Sequence, residues 1–346
     1  MLDYEIFKEA MVEKIREQLP EEYRGMKMEI RKVEKVNGAK DGLKIYDESQ
    51  KMRVTPTIYL NDVYADYERT GDLDAAAGKA AENIANGFAY AGEVRSELDF
   101  EGAKDKIVFQ LINTEQNRQM LSGMPHREFQ DLSVIYRWVV KMDEGGIQST
   151  MINDSLAAQM GLGEAELFKL ASENTRKLLP PVVKTITEVM REIFSKDGMP
   201  EEMIDMMVEE MPKEQTMWII TNDRGINGAV SMLYEDRLQE LAQDMGSDLF
   251  VLPSSVHEVI AISAGMGDPE ELARMVNEIN LSQVAPDERL SNQVYHYDKD
   301  LRRLTLATDT PNKRLDGADV SMMPETEKKS MTAEPPMVYA PDNRSR

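Results

Sequence analysis

The chain has 346 residues, 41% of them hydrophobic and 30% charged, a balance that gives one large folded domain or two ordinary ones rather than a disordered chain. It holds no cysteine, which excludes disulfides, thiolate metal centres and a cysteine nucleophile. The net charge is −22, and residues 201–300 alone carry 6 basic against 21 acidic side chains, a balance of −15. Such a field repels phosphate backbones and attracts basic proteins.

Residues 3–19 read as an amphipathic helix. Ile6, Phe7, Ala10, Met11, Ile15 and Leu19 fall on one face, Asp3 can cap the start, and Pro20 follows the end. Strand-like runs follow at 26–30, 43–46 and 52–60, and Pro56 places the last at an edge or bend. Helices are expected at 61–69 and 72–91, the second lined with Ala75, Ala76, Ala77, Ala80 and Ala81 for close packing. A strand at 132–142 turns through Asp143-Glu144-Gly145-Gly146 into another at 147–152. Helices are predicted at 154–160, stopped by Gly161, and at 164–178.

After Pro180-Pro181, the spacing of Val182, Val183, Ile186, Val189, Met190 and Ile193 predicts one continuous helix, with another over 200–211. The last third reads as strands at 217–221 and 228–234, a helix at 235–245, and strands at 249–253 and 257–263. A helix at 269–280 and a hairpin over 293–306 complete it. Leu156–Gly161 and Leu241–Gly246 echo one another faintly, each a helix end closed by glycine. Beyond Thr308 the periodicity stops and the composition turns to Pro, Thr, Lys and Asp. These elements predict an α+β fold of antiparallel strand pairs flanked by helices. The expected organisation is an N-terminal lobe (1–125), a C-terminal lobe (126–307) and a disordered C-terminal tail (308–346).

The densest group of catalytic residue types is Ser254, Ser255, His257 and Glu258, at a turn between two strands. A serine nucleophile needs a base to take its proton and a carboxylate to orient that base. The competing reading is a turn whose hydroxyls satisfy backbone groups, since no nucleophile elbow is present. A zinc-protease helix would need a second histidine four residues after His257, and position 261 is Ala. Asn222, Gly225 and Asn227 lie in a glycine-rich turn that fails the calcium-loop pattern, leaving a hairpin turn or a ligand-contacting loop. Gly265-Met266-Gly267 lacks a third glycine and is followed by Asp268, Glu270 and Glu271, which reads as a capped helix start rather than a phosphate loop. Met199, Met203, Met206, Met207 and Met211 form a stripe, read as core packing or as an adaptable binding face.

Several of these runs carry a family resemblance. Ile58–Tyr67, 132–141 with 166–175, Trp218–Asn222 with 225–234, and above all Leu252-Pro253-Ser254-Ser255-Val256-His257-Glu258-Val259-Ile260 resemble an uncharacterised clostridial-type bacterial family known only as a domain of unknown function. The chain is more loosely similar to the YtpQ-like uncharacterised proteins. The resemblance spans most of 3–306 and implies a bacterial cytoplasmic protein, with no activity and no catalytic residue to transfer. The start, Met1-Leu2-Asp3-Tyr4-Glu5, lacks the basic and apolar regions of a secretory signal, and no apolar run nears the ~20 residues that span a bilayer. The expected address is therefore cytoplasmic, with no membrane contact.

The expected function is a non-catalytic interaction or regulatory role, exercised through an acidic surface on a protein partner of basic character. No metal, cofactor or nucleic acid is expected. The alternatives are a Ser/His hydrolase centred on 253–258 and an acidic mimic of nucleic acid that fills a basic groove.

Overall fold

The computed structural model describes residues 1–47, 56–94, 100–143, 146–208, 216–253, 255–310 and 315, with backbone only at 90–94, 100 and 101. The expected tail therefore lies outside the described residues from 311 onward, Leu315 excepted, as does the first part, 52–55, of the run at 52–60. The chain divides into two compact units, Met1–Phe100 and Glu101–Arg346.

In the first unit, α1 (Tyr4–Gln18) starts where Asp3 accepts the Glu5 N–H, and it buries Phe7, Met11 and Ile15 at four-residue intervals. The short α2 (Glu21–Arg24) leads into β1 (Lys27–Lys35), which pairs antiparallel with β2 (Gly38–Tyr46) around a turn where Asn37 takes φ 63°. β3 (Thr57–Tyr59) adds to β2. α3 (Leu60–Thr70) and α4 (Leu73–Val94) complete the core, where Ala76, Ala77, Ala80 and Ala81 keep α4 close to Phe7, Met11 and Ile15. Within this core Asp41 is buried. Its carboxylate accepts from Lys32 at 2.8 Å and from the Tyr4 hydroxyl at 3.0 Å, with the Lys8 ammonium at 3.4 Å.

The second unit continues from α5 (Phe100–Ala103) through β4 (Ile107–Asn113), α6 (Arg118–Leu121), β5 (His126–Phe129), β6 (Leu132–Asp143) and β7 (Gly146–Met151). These four strands form one sheet in which β4, β5 and β7 all pair with β6. α7 (Asp154–Met160) and α8 (Glu164–Leu178) follow. The second sheet runs β13-β12-β10-β11-β9-β8. Its strands are β8 (Pro181–Thr185), β9 (Trp218–Asn222), β10 (Leu249–Leu252), β11 (Val259–Ser263), β12 (Tyr295–Asp298) and β13 (Arg303–Leu306), interleaved with α9 (Ile186–Lys196), α10 (Glu201–Met207), α11 (Glu235–Met245) and α12 (Pro269–Gln283). Every strand pairing among the described residues is antiparallel, so the fold is α+β with antiparallel sheets flanked by helices. No helix among them is long and apolar enough to cross a membrane.

The short α2, α5, α6 and β5 are absent from the sequence reading, and three further elements differ from it, each for a local reason. The helix expected from Val182 to Ile193 divides into β8 and α9. Thr185 and Glu188 form a reciprocal capping box that fixes the helix start at Ile186, leaving Val182 and Val183 extended. The strand expected at 228–234 is a short 3-10 helix, Gly228–Leu233, because β9 already pairs with β8 on one side and β11 on the other. β4 was not anticipated. It is buried at all seven positions, with Gln110 and Asn113 as buried as its apolar residues, so it lacks the alternation that marks a half-exposed strand. The capped start expected near Gly265-Met266-Gly267 is present: Asp268 accepts from the N–H groups of Glu270 and Glu271 at the head of α12.

Candidate functional site

Two of the turns singled out in the sequence meet in space. In the first, Asn222 is buried, and its side-chain carbonyl accepts from the N–H of Arg224 at 3.0 Å and of Ile226 at 3.4 Å. Its amide donates to the Ile226 carbonyl at 2.8 Å. Gly225 and Asn227 take φ 63° and 53°, the left-handed region that glycine and asparagine tolerate best. The chain then passes Gly228, where an added Cβ would lie 2.6 Å from the His257 carbonyl oxygen and 2.7 Å from the Asn222 nitrogen. Only a residue without a side chain permits that approach.

The second turn is fastened on several sides. Thr221 Oγ1 donates to the His257 carbonyl at 2.8 Å, Ala229 N to the Val256 carbonyl at 3.2 Å, and Val256 N to the Glu288 carbonyl at 2.8 Å. The His257 ring accepts the Asn227 N–H at Nδ1, 3.2 Å away, and its Nε2 lies 3.4 Å from Glu288 Oε1. With Nδ1 acting as acceptor, a neutral ring carries its proton on Nε2, facing that carboxylate.

Ser255 is buried, and its Oγ accepts the backbone N–H of His257 at 3.0 Å; its hydroxyl has no hydrogen bond with the imidazole. Glu258 is half-buried, and its carboxylate makes no hydrogen bond to His257. Ser254 lies outside the described residues. The ring thus gains Asn227 and Glu288 as partners. Glu288 is distant in sequence, and no motif linked it to His257.

The methionine stripe forms a second candidate. α9 carries Ile186, Val189, Met190, Ile193 and Phe194 at helical spacing, yet none of its residues is buried, and Ile193 is 52% exposed. α10 turns Ile204 inward, while Met203, Met206 and Met207 are 48, 80 and 56% exposed. An ion pair between Arg191 and Asp205 ties the two helices together. Met211 lies outside the described residues. The sequence pattern alone could not separate core from surface here, because amphipathic spacing identifies an apolar side without saying what covers it.

Two further polar clusters lie in this unit. Arg137 spans three strands, donating to Gln110 Oε1 on β4 at 3.0 Å and to Ser149 Oγ and O on β7 at 2.9 and 3.1 Å. Burial lowers its pKa from the ordinary guanidinium value. Tyr295 is fully buried and donates to Asp131 Oδ1, while Ser291 donates to Asp131 Oδ2 at 2.5 Å. Burial, with the Asp131 charge behind it, pushes the Tyr295 phenol well above its usual value. No group of three or more histidine, aspartate or glutamate side chains among the described residues could hold a metal ion.

Comparison with known proteins gives one match. A family model described as a family of unknown function, DUF5688, covers residues 4–299. No curated protein and no solved structure matches the chain.

Proposed function

We infer that this chain, which belongs to the DUF5688 family of unknown function, is a non-catalytic interaction protein that binds a protein partner through the α9–α10 surface of its acidic second unit. One observation carries the reading: an amphipathic helix that buries no residue lies against a helix with three exposed methionines. Water contact with a contiguous apolar surface is costly, so proteins that keep one generally cover it with a partner. The same proposal includes a bacterial, clostridial-type origin, a kinship with YtpQ-like proteins and a cytoplasmic address, which the absence of cysteine fits. The net charge of −22 makes a basic protein the expected partner and a nucleic acid the unexpected one.

The test is affinity capture from host lysate at low and high salt, comparing the wild type with a Met203→Gln/Met206→Gln/Met207→Gln variant. The expected result is a stoichiometric protein retained by the wild type and lost by the variant. Capture that ignores the substitutions, or no capture at either salt, counts against the reading.

A hydrolase at 253–258 is the second reading, supported by the approach of His257 to Glu288 beside Ser255. It requires Nδ1 to release the Asn227 N–H before the ring can act as a base there. A serine-reactive probe that labels the wild type and not His257→Ala would favour it; absent or equal labelling would end it.

A further inference from the structure

We propose that the occupant of the α9–α10 surface is a basic amphipathic helix, an inference that rests on the partner-binding reading above and names its partner class. On α9 Met190 and Ile193 are 37 and 52% exposed, with Ile186, Val189 and Phe194 half-buried beside them, and α10 adds the exposed Met203, Met206 and Met207. A partner helix presents anchors at i, i+3, i+4 and i+7, which suits a contact surface built along two helices. Methionine is unbranched and polarisable, so its side chains repack around anchors of different shape.

Charge selects among the possible occupants. Residues 184–208 hold six acidic side chains (Glu188, Glu192, Asp197, Glu201, Glu202, Asp205) and three basic ones (Lys184, Arg191, Lys196), a net −3. Lys184 is paired with Glu192 and Arg191 with Asp205, while Glu188 caps its own helix at Thr185. Asp197, Glu201 and Glu202 are exposed and make no ion pair among the described residues. A second copy of the chain would set this excess against itself, and an anionic vesicle or nucleic acid would be repelled. A cationic helix supplies both the apolar anchors and the missing counter-charges.

The experiment uses the full chain and two fluorescent synthetic peptides of about 18 residues, five helical turns. One places leucine at i, i+3, i+4 and i+7 with lysine elsewhere; the other has the same composition in scrambled order. Anisotropy titrations are run on the wild type, on Met203→Gln/Met206→Gln/Met207→Gln and on Glu201→Gln/Glu202→Gln, with circular dichroism confirming that each variant is folded. The expected result is saturable one-to-one binding of the amphipathic peptide, weakened about tenfold or more by the methionine substitutions. The glutamate substitutions should weaken it several-fold and flatten its salt dependence.

Equal binding of the scrambled peptide, unchanged binding by the methionine variant, or no binding of the amphipathic peptide overturns the proposal. So does concentration-dependent dimerisation in light scattering that the methionine substitutions abolish, since the surface would then belong to a second copy. If lysate capture depends on the methionines while the amphipathic peptide does not bind, partner binding stands and the helix class falls. If neither depends on them, both fall.

Discussion

Asn227 donates its backbone N–H to Nδ1 of His257, 30 residues further along the chain, and so fixes which imidazole nitrogen carries the proton. The ring is thereby a fastening between two turns. We predict that His257→Ala costs about 1–2 kcal/mol of stability, the scale for leaving a half-buried backbone N–H without its acceptor. His257→Asn, whose side-chain oxygen can take the place of Nδ1, should cost less. Urea denaturation of the three proteins checks the order.

Gly228 gives the sharper steric test. An added Cβ would meet Thr221 Oγ1 at 2.2 Å as well as the backbone of His257 and Asn222, and a rigid turn cannot yield to all three. Gly228→Ala should destabilise by about 2–3 kcal/mol, the upper range for overpacking. Gly25→Ala, where nothing lies within 4 Å of the added carbon, should stay within about 0.5 kcal/mol.

Asp41 makes the first unit sensitive to acid. The Lys32 hydrogen bond, aided by the Tyr4 hydroxyl and the nearby Lys8, holds its carboxyl below the usual aspartate value, against the opposing effect of burial. A depressed folded-state pKa gives stability that is present above the unfolded value of about 3.9 and is lost as pH falls through the folded value. Asp41→Asn should therefore lose about 2 kcal/mol at neutral pH. It should also show a shallower fall in stability below about pH 4 than the wild type. Denaturation midpoints measured across pH 2–7 decide this.

Tyr295 has the opposite sign. Its phenol is held above the usual value by burial, so its stabilising contribution is present below the unfolded pKa of about 10 and is lost as pH rises toward the folded value. Tyr295→Phe should flatten the alkaline loss of stability, at a cost near neutrality of about 1–2 kcal/mol for the hydrogen bond to Asp131. Ultraviolet titration of the phenols should show one fewer group ionising upon alkaline unfolding.

Within α10, neighbouring positions should behave differently. Met206 is exposed and Ile204 is buried, so Met206→Gln should leave stability within about 0.5 kcal/mol whereas Ile204→Ala should cost about 2–3 kcal/mol. Equal effects in thermal denaturation would contradict the orientation of this helix.

Much of the fold is legible in the residues. α1 is announced by Asp3 and by the apolar series from Phe7 to Ile15, and the β12–β13 hairpin by the alternation of Tyr295 and Tyr297. The start of α9 was written in Thr185 and Glu188, but Val182 and Val183 fall in phase with the helix that follows and obscure it. The 3-10 helix at Gly228 depends on the two strands that already flank β9, a fact of topology that no local pattern contains. At the candidate sites, residue types were visible and their partners were not. Glu288 reaches His257 through chain packing, and the exposure of Ile193 follows from the absence of a covering element among the described residues.

Among the described residues β8 is the outermost strand of its sheet, and an open edge of this kind can template further strands until chains aggregate. Pro181 lacks an N–H to offer such a newcomer, and Lys184 places charge near the strand's end. The apolar helix beside it can therefore remain uncovered without inviting backbone pairing. With one of the edge's outward backbone donors removed, contacts formed there should rest chiefly on side chains, and a complex made on this surface should dissolve as its partner is withdrawn instead of growing into fibres.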